Sequence, residues 1–315
     1  MTDSLSKFRD RLDKELKIRK TKDYVSLKVT SKLCIYQSRD RDYTLNVMKN
    51  VSGFAVGEKI PVHIDLRSCP GVTAAAMVML FAEVSRARLV TEVHGIIKIF
   101  FPPKGTAIRK LFQQSGWERA LVIEHTKLQD LVRDNQLFQS NSNPNEATQA
   151  VYKLLTSHGL ELDAPEVKRF TKGVSEAMLN VINHAYDHEE FPLEGIGRRW
   201  WQACFVKEVA DKKAKMVFII YDLGQGILSS LEKESDETPE QHISRAMRYG
   251  VTRTGDPKRG KGTKDIEDAA QIREESILLV GSNDVSYIKW KDGKVRIELG
   301  LLPFFGTIVE WQINL

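Results

Sequence analysis

The chain has 315 residues, 42% of them apolar and 28% charged, the make-up of a soluble globular protein of about two domains with room for real cores. No apolar run approaches the roughly 20 residues of a membrane span, and the N-terminal MTDSLSKFRDRLDKELKIRK lacks the apolar stretch of a signal peptide. A net charge of +5 sits in small clusters and makes no argument for nucleic acid, while Cys34, Cys69 and Cys204 are spaced for neither a disulfide framework nor a zinc site, which points to the cytoplasm.

Within the N-terminal segment 1–21, residues 4–19 read as an amphipathic helix, with Leu5, Phe8, Leu12 and Leu16 at helical spacing. Such a helix packs on its own domain or, as the weaker reading, on a partner or a second copy in a homodimer. From Tyr24 to Tyr36 the pattern alternates as strands do, and Lys59–Leu66 reads as a strand with polar residues at its end. A helix is expected over Gly71–Ala87, a strand over Gly95–Phe101, a helix over Ala107–Gln114 and a short strand over Ala120–Glu124. Strands alternating with helices over 22–137 predict a small α/β domain with adjacent parallel strands. The polar, turn-rich FQSNSNPNE, residues 138–146, is the expected linker to a second domain over 147–315.

The order of elements and the segment IDLRSCPGVTAAAMVML resemble a STAS domain, the fold of anti-sigma-factor antagonists. Counted from Ile64-Asp65-Leu66, that family's Asp-Ser-Ser-Gly falls on Thr73-Ala74-Ala75-Ala76, so the acceptor serines are missing. The resemblance covers roughly residues 22–125 and implies a STAS-like domain without the phosphorylation switch.

Four short motifs follow the linker. The first lies on a helix that Asp163 can cap and Pro165 can open. Its apolar stripe runs from Phe170 through Val174 to Ala185, and opposite it Glu176, Asn180, Asn183 and His184 stand at i, i+4, i+7 and i+8. A carboxylate there can polarise a nucleophile, and an amide oxygen one turn on can hold Mg²⁺ without cancelling its charge. The second is the strand Met216–Tyr221 running into Asp222-Leu223-Gly224-Gln225-Gly226-Ile227. An acid at that strand end can accept from an adenine amino group, and the glycines let the backbone turn close to a ligand. The third is Arg259-Gly260-Lys261-Gly262-Thr263, after the turn that carries Arg253; glycines opening a helix present free N–H groups to phosphate. The fourth is Gly306-Thr307 entering the last strand. A Walker A loop over Gly255–Thr263 is rejected, because Gly262 stands where the magnesium-binding hydroxyl belongs and a polar helical segment replaces the buried strand before it.

Each motif alone has a bland reading as a solvated face, a turn or a basic loop. In this order they resemble the GHKL superfamily of histidine kinases, anti-sigma-factor serine kinases, gyrase and heat-shock chaperone ATPases. The resemblance covers about half of the chain. It implies a C-terminal two-layer α/β sandwich of the GHKL (Bergerat) type with a mixed sheet, binding ATP and Mg²⁺. By position it makes Glu176 the catalytic base and Asn180 the Mg²⁺ ligand, and it assigns adenine to Asp222 with Gly224, Gly226 and Thr307 beside it. It also matches Gly260 and Gly262 to the phosphate-loop glycines and His184 to a histidine of the serine-kinase branch; Lys261, Thr263 and Arg253 beside that loop, and Asn183 beside His184, complete the expected ATP site. Residues 228–259 would be a mobile lid, too polar to be packed before nucleotide binds. Asn183 stands where many histidine kinases have lysine, and no histidine lies in a dimerisation-helix motif, which excludes a complete sensor kinase.

Three function classes follow. The first is an ATPase that reports its nucleotide state to a partner protein, for instance a separate STAS-like protein. The second is a serine/threonine protein kinase of the anti-sigma-factor type, and the third a non-catalytic nucleotide-holding module. Glu176 favours the first two, because a structural site has no need of a base, and the missing serines tip the balance toward an ATPase.

Overall fold

The structure is a computed structural model that describes residues 2–122, 131, 137–157, 162–187, 196–209, 212–248 and 262–314. It is a mixed α/β protein in two compact units, the first made mainly of residues 1–138 and the second mainly of 139–299 and 303–315.

The first unit opens with helix α1 (Thr2–Leu16), whose Leu12 and Leu16 are buried. Its four-stranded sheet runs β1 (Ile18–Lys20), β2 (Val25–Lys28), β3 (Val62–Asp65), β4 (Ile97–Phe100) in that order. The β1/β2 pair is antiparallel, while β2/β3 and β3/β4 are parallel, so the sheet is mixed. Parallel neighbours need long crossovers. Helices α2 (Ser38–Ser52) and α3 (Ala74–Thr91) supply them.

Several boundaries differ from the sequence reading. The alternating stretch 24–36 yields only β2, after which Leu33 makes an isolated parallel bridge to Val72. Helix α2 escapes the pattern because it buries Arg41, Thr44 and Asn46, which binary patterning assigns to solvent. Two of these have tertiary partners: Thr44 Oγ1 accepts from Cys34 N at 2.8 Å, and Asn46 Nδ2 donates to Asp13 at 2.8 Å. Helix α4 (Ala107–Gln114) stands where expected. Of the strand expected over Ala120–Glu124, the described residues 120–122 belong instead to helix α5 (Trp117–Val122), and 123–124 lie outside the described residues. Its apolar residues Trp117 and Leu121 are both buried at i, i+4, and Trp117 Nε1 donates to Met77 O at 2.8 Å.

The second unit is built on a seven-stranded sheet in the order β10-β9-β8-β11-β7-β6-β5. Its strands are β5 (Phe138–Asn141), β6 (Trp200–Val209), β7 (Lys212–Asp222), β8 (Ile277–Ser282), β9 (Val285–Trp290), β10 (Val295–Leu299) and β11 (Thr307–Asn314). The pairings from β10 across to β6 are antiparallel. Helices α6 (Pro144–Ser157), α7 (Ala164–Asn180) and α10 (Gly262–Ala269) share one core with one face of this sheet. Phe170 meets Phe218 edge-on at 5.6 Å between centroids, and Trp311 Nε1 donates to Ile266 O at 2.9 Å.

Two further expectations are corrected here. The linker over 138–146 does not exist as such, because Phe138–Asn141 is an edge strand, buried along its length, and Pro144 opens α6. Its polar side chains are paired; Ser140 Oγ donates to Trp200 O at 2.8 Å. The described part of the lid, 228–248, is not an unpacked polar segment either. It contains α8 (Ile227–Ser230) and α9 (Pro239–Ala246). A Thr238–Gln241 capping box starts α9, and Ile243 and Met247 lie in the core. The rest of that lid, 249–259, lies outside the described residues.

Candidate functional site

Sheet register gathers the site. Ile308 pairs with Tyr221 and Thr307 with Ser282, so the end of β7, the start of β11 and the end of β8 meet at one margin of the sheet. Asp222 closes β7 there and is buried, at 4% exposure. Its Oδ1 accepts from Gly224 N at 2.8 Å and from Thr307 N at 3.3 Å. Among the described residues its other carboxylate oxygen accepts no hydrogen bond and no cation pairs with it. Burial therefore wins over the two backbone donors and raises its pKa to about 7.

The glycines are steric necessities. A Cβ on Gly306, which has φ +78°, would lie 2.1 Å from Asp222 O. One on Gly224 would lie 2.2 Å from Ala185 O. No side chain fits at either place.

Helix α7 reaches the same margin. Asp163 and Glu166 form a capping box at its start, and after Asn180 it widens into a π-type turn over Val181–Ala185. That turn is tied to the Asp222–Gly226 loop. Gln225 N donates to Ala185 O at 2.8 Å, Gln225 Nε2 to His184 O at 2.7 Å and Leu223 N to the Tyr186 hydroxyl at 3.1 Å. Asn180 and Asn183 are exposed, and His184 is half-buried.

One face of α7 receives α10, and glycines decide how closely. A Cβ on Gly173 would come within 2.5 Å of Asp265 O, and one on Gly262 within 2.7 Å of Glu176 Oε2. The start of α10, with its free N–H groups, thus abuts the half-buried carboxyl of Glu176. Burial first, and then the negative charge of Asp265, raise the Glu176 pKa against the pull of Lys172. Lys172 is itself held by Asp265, at 2.8 Å.

The structure therefore brings Asp222, Gly224, Gly226 and Thr307 together, places Asn180, Asn183 and His184 on the end of α7, and sets Gly262 beside Glu176, with Thr263 next along α10. Arg253, Gly260 and Lys261 lie outside the described residues. Sequence reasoning missed Ser282, Asn283, Asp265 and Tyr186. Ser282 Oγ accepts from Ile227 N at 2.7 Å and Asn283 Oδ1 from Leu228 N at 3.0 Å, capping α8 from the β8–β9 turn. A signal existed for that turn, since Ser-Asn-Asp between two apolar runs favours a hairpin, and Asn283 adopts φ +52°. Nothing local marks Asp265 or Tyr186.

A separate open cleft of roughly 540 Å³ lies along α9 from Glu234 to Arg248, and no expected site residue lines it except that it falls in the lid region. There Arg245 binds Glu237 at 2.7 Å and holds that carboxyl well below the usual range.

Among the described residues no helix is long and apolar enough to cross a membrane. Comparison with protein-family models, with curated proteins and with solved structures finds no match to this chain.

Proposed function

We propose that the second unit is a GHKL-type (Bergerat) domain that binds ATP with Mg²⁺ and hydrolyses it, reporting nucleotide state to a partner protein. The observation that carries this reading is Asp222. A carboxylate is buried at a strand end with one oxygen held by backbone N–H groups and, among the described residues, no cation beside it. A ligand amino group, such as that of adenine, is the partner such an oxygen lacks.

The surroundings support the same reading. Glycines 224 and 306 clear the backbone around Asp222, and the start of α10 offers N–H groups to phosphate beside Glu176. A carboxyl whose pKa is raised is a better proton acceptor from an attacking water. Asn180, exposed one turn after Glu176, is a neutral oxygen donor suited to Mg²⁺, which takes few protein oxygens and several from phosphate and water. Bound there, the ion would offset phosphate charge. For the first unit we propose the STAS-like reading, supported by its two parallel pairings and by the helix that follows β3 from Ala74; the absence of serine at Ala74–Ala76 is its departure from that pattern.

The test is titration calorimetry with ATP, paired with the fate of a labelled γ-phosphate. Asp222→Asn should weaken binding about 10- to 100-fold, because an amide can present a donor where an acceptor is needed. Glu176→Ala should bind ATP within a few-fold of the parent but release phosphate about 10²- to 10⁴-fold more slowly. Equal ATP affinity of the parent and Asp222→Asn would remove the site. Label appearing on a partner protein would make the chain a kinase, and binding without any turnover a nucleotide holder.

A further inference from the structure

One face of the first unit's sheet packs inward through Val25, Leu27, Val62, Ile64 and Ile97, all buried. The opposite face is composed differently. Register places Ser26, His63 and Lys98 side by side in one row, and Lys28, Asp65 and Phe100 in the next. Side chains two apart on a strand share a face, so both rows look the same way. Arg19 extends the first row, opposite Ser26.

Three rings run across these rows. Tyr24 stacks on His63 at 3.9 Å between centroids with planes 24° apart, and Phe100 meets His63 edge-on at 5.6 Å. Tyr24, His63 and Phe100 are only partly buried, although aromatic residues on a sheet normally turn inward. Cations surround them: Lys98 Nζ lies 5.2 Å and the Arg67 guanidinium 5.4 Å from the Phe100 centroid. The acid of the face, Asp65, is neutralised by Arg67 through hydrogen bonds of 2.9 and 2.8 Å. Arg19, Lys28 and Lys98 make no salt bridge among the described residues, so the face carries unbalanced positive charge. Burial and the Lys98 charge hold the His63 ring below its ordinary pKa and hence neutral, which suits a stacking role.

Partly exposed rings in a row on a sheet, flanked by cations that make no salt bridge among the described residues, match one ligand chemistry: planar groups joined by phosphates. We propose that this face binds single-stranded nucleic acid, with bases stacking on Tyr24 and Phe100 and the backbone neutralised by Arg19, Lys28 and Lys98. A folded acidic protein would pair with the cations but leave the rings without partners. A duplex hides the faces of its bases and cannot use the rings.

The full chain would be titrated, by fluorescence anisotropy, into a labelled oligouridylate of about eight nucleotides, an abasic oligomer of equal charge and a duplex. The oligouridylate should bind about tenfold or more tightly than the abasic oligomer. Phe100→Leu and Tyr24→Leu should each cost about tenfold, with melting curves checking that both remain folded. Lys98→Gln, at an exposed position that cannot unfold the sheet, should weaken binding and lower the slope of log affinity against log salt by about 0.7. Equal binding of oligouridylate and abasic oligomer would leave only a basic patch and overturn the proposal. So would preference for the duplex, no binding, unchanged affinity in Lys98→Gln, or displacement of the oligomer by ATP.

Discussion

Two of the buried carboxylates, one in each unit, are treated differently. Glu83, on α3 of the first unit, is wholly inaccessible and pairs with Arg86 at 2.7 Å. Arg86 also donates to Ser52, which ties α3 to the end of α2. Asp222, at the end of β7 in the second unit, is almost as buried but has backbone N–H groups on one oxygen and, among the described residues, no cation. Burial raises the pKa of both. A carboxylate that brings its own cation is part of the fold's internal accounting. Glu83 also keeps one oxygen, Oε1, without a hydrogen bond, but its charge is neutralised by Arg86, whereas Asp222 has no cation among the described residues, which is why Asp222 and not Glu83 marks a candidate binding site.

The largest effect expected from this contrast is on stability. Arg86→Ala leaves Glu83 buried and unpaired and should destabilise the first unit by about 3–5 kcal/mol, seen as a lower urea midpoint. ATP affinity should not change. A midpoint like the parent's would mean that Glu83 is no more dependent on its partner than Asp222 is.

Asp222→Asn should do the reverse. A carboxyl whose folded pKa lies near 7, above the usual 3.8, binds more protons folded than unfolded between those values. Stability is therefore greatest below the unfolded pKa and is lost as pH rises through about 7. Removing the charge should raise stability without nucleotide at pH 8 by something on the order of 2 kcal/mol, while ATP binding weakens. Lower stability at pH 8 in this variant would show that the charge is already compensated.

The same group predicts a pH dependence of binding. An amino donor favours the ionised carboxyl, so ATP affinity should fall as pH drops below about 7, by at most about tenfold per unit. Calorimetry between pH 6 and 8, values chosen on the order of one unit either side of that midpoint, reads it directly. Flat affinity across that range would separate Asp222 from the ligand.

The smallest effect concerns the support of the loop. Ser282→Ala removes the acceptor of the Ile227 N–H and should cost about 1 kcal/mol of stability, with a modest loss of ATP affinity. Full loss of binding would instead place Ser282 among the ligand's own contacts.

How far all this was legible depends on the range of the signal. Helix α7 could be read from Asp163, Pro165 and its apolar stripe, because a cap and a 3.6-residue period are written in adjacent residues. Helix α4 was equally plain. Helix α5 was mistaken for a strand because a short apolar run suits both periods, and only the contact of Trp117 with Met77 O decides between them. Helix α2 escapes the pattern because Thr44 and Asn46 look like surface residues until Cys34 N and Asp13 pair with them in the fold. The polar composition of the lid predicts an unpacked segment, yet Ile243 is buried in a short helix that the composition of its neighbours conceals.

By itself, then, the sequence determined what neighbours can determine: the spacing of Glu176 and Asn180 on one helix, the strand that ends in Asp222, and the want of serines at Ala74–Ala76. Only the tertiary structure decided that Asp222 is buried with no cation among the described residues, that Thr307, 85 residues away, donates to it, and that Gly262 lies against Glu176. The reason is physical. Propensity and periodicity act over a few residues, whereas burial and charge pairing depend on which distant segments strand register and glycine-permitted helix contact bring together.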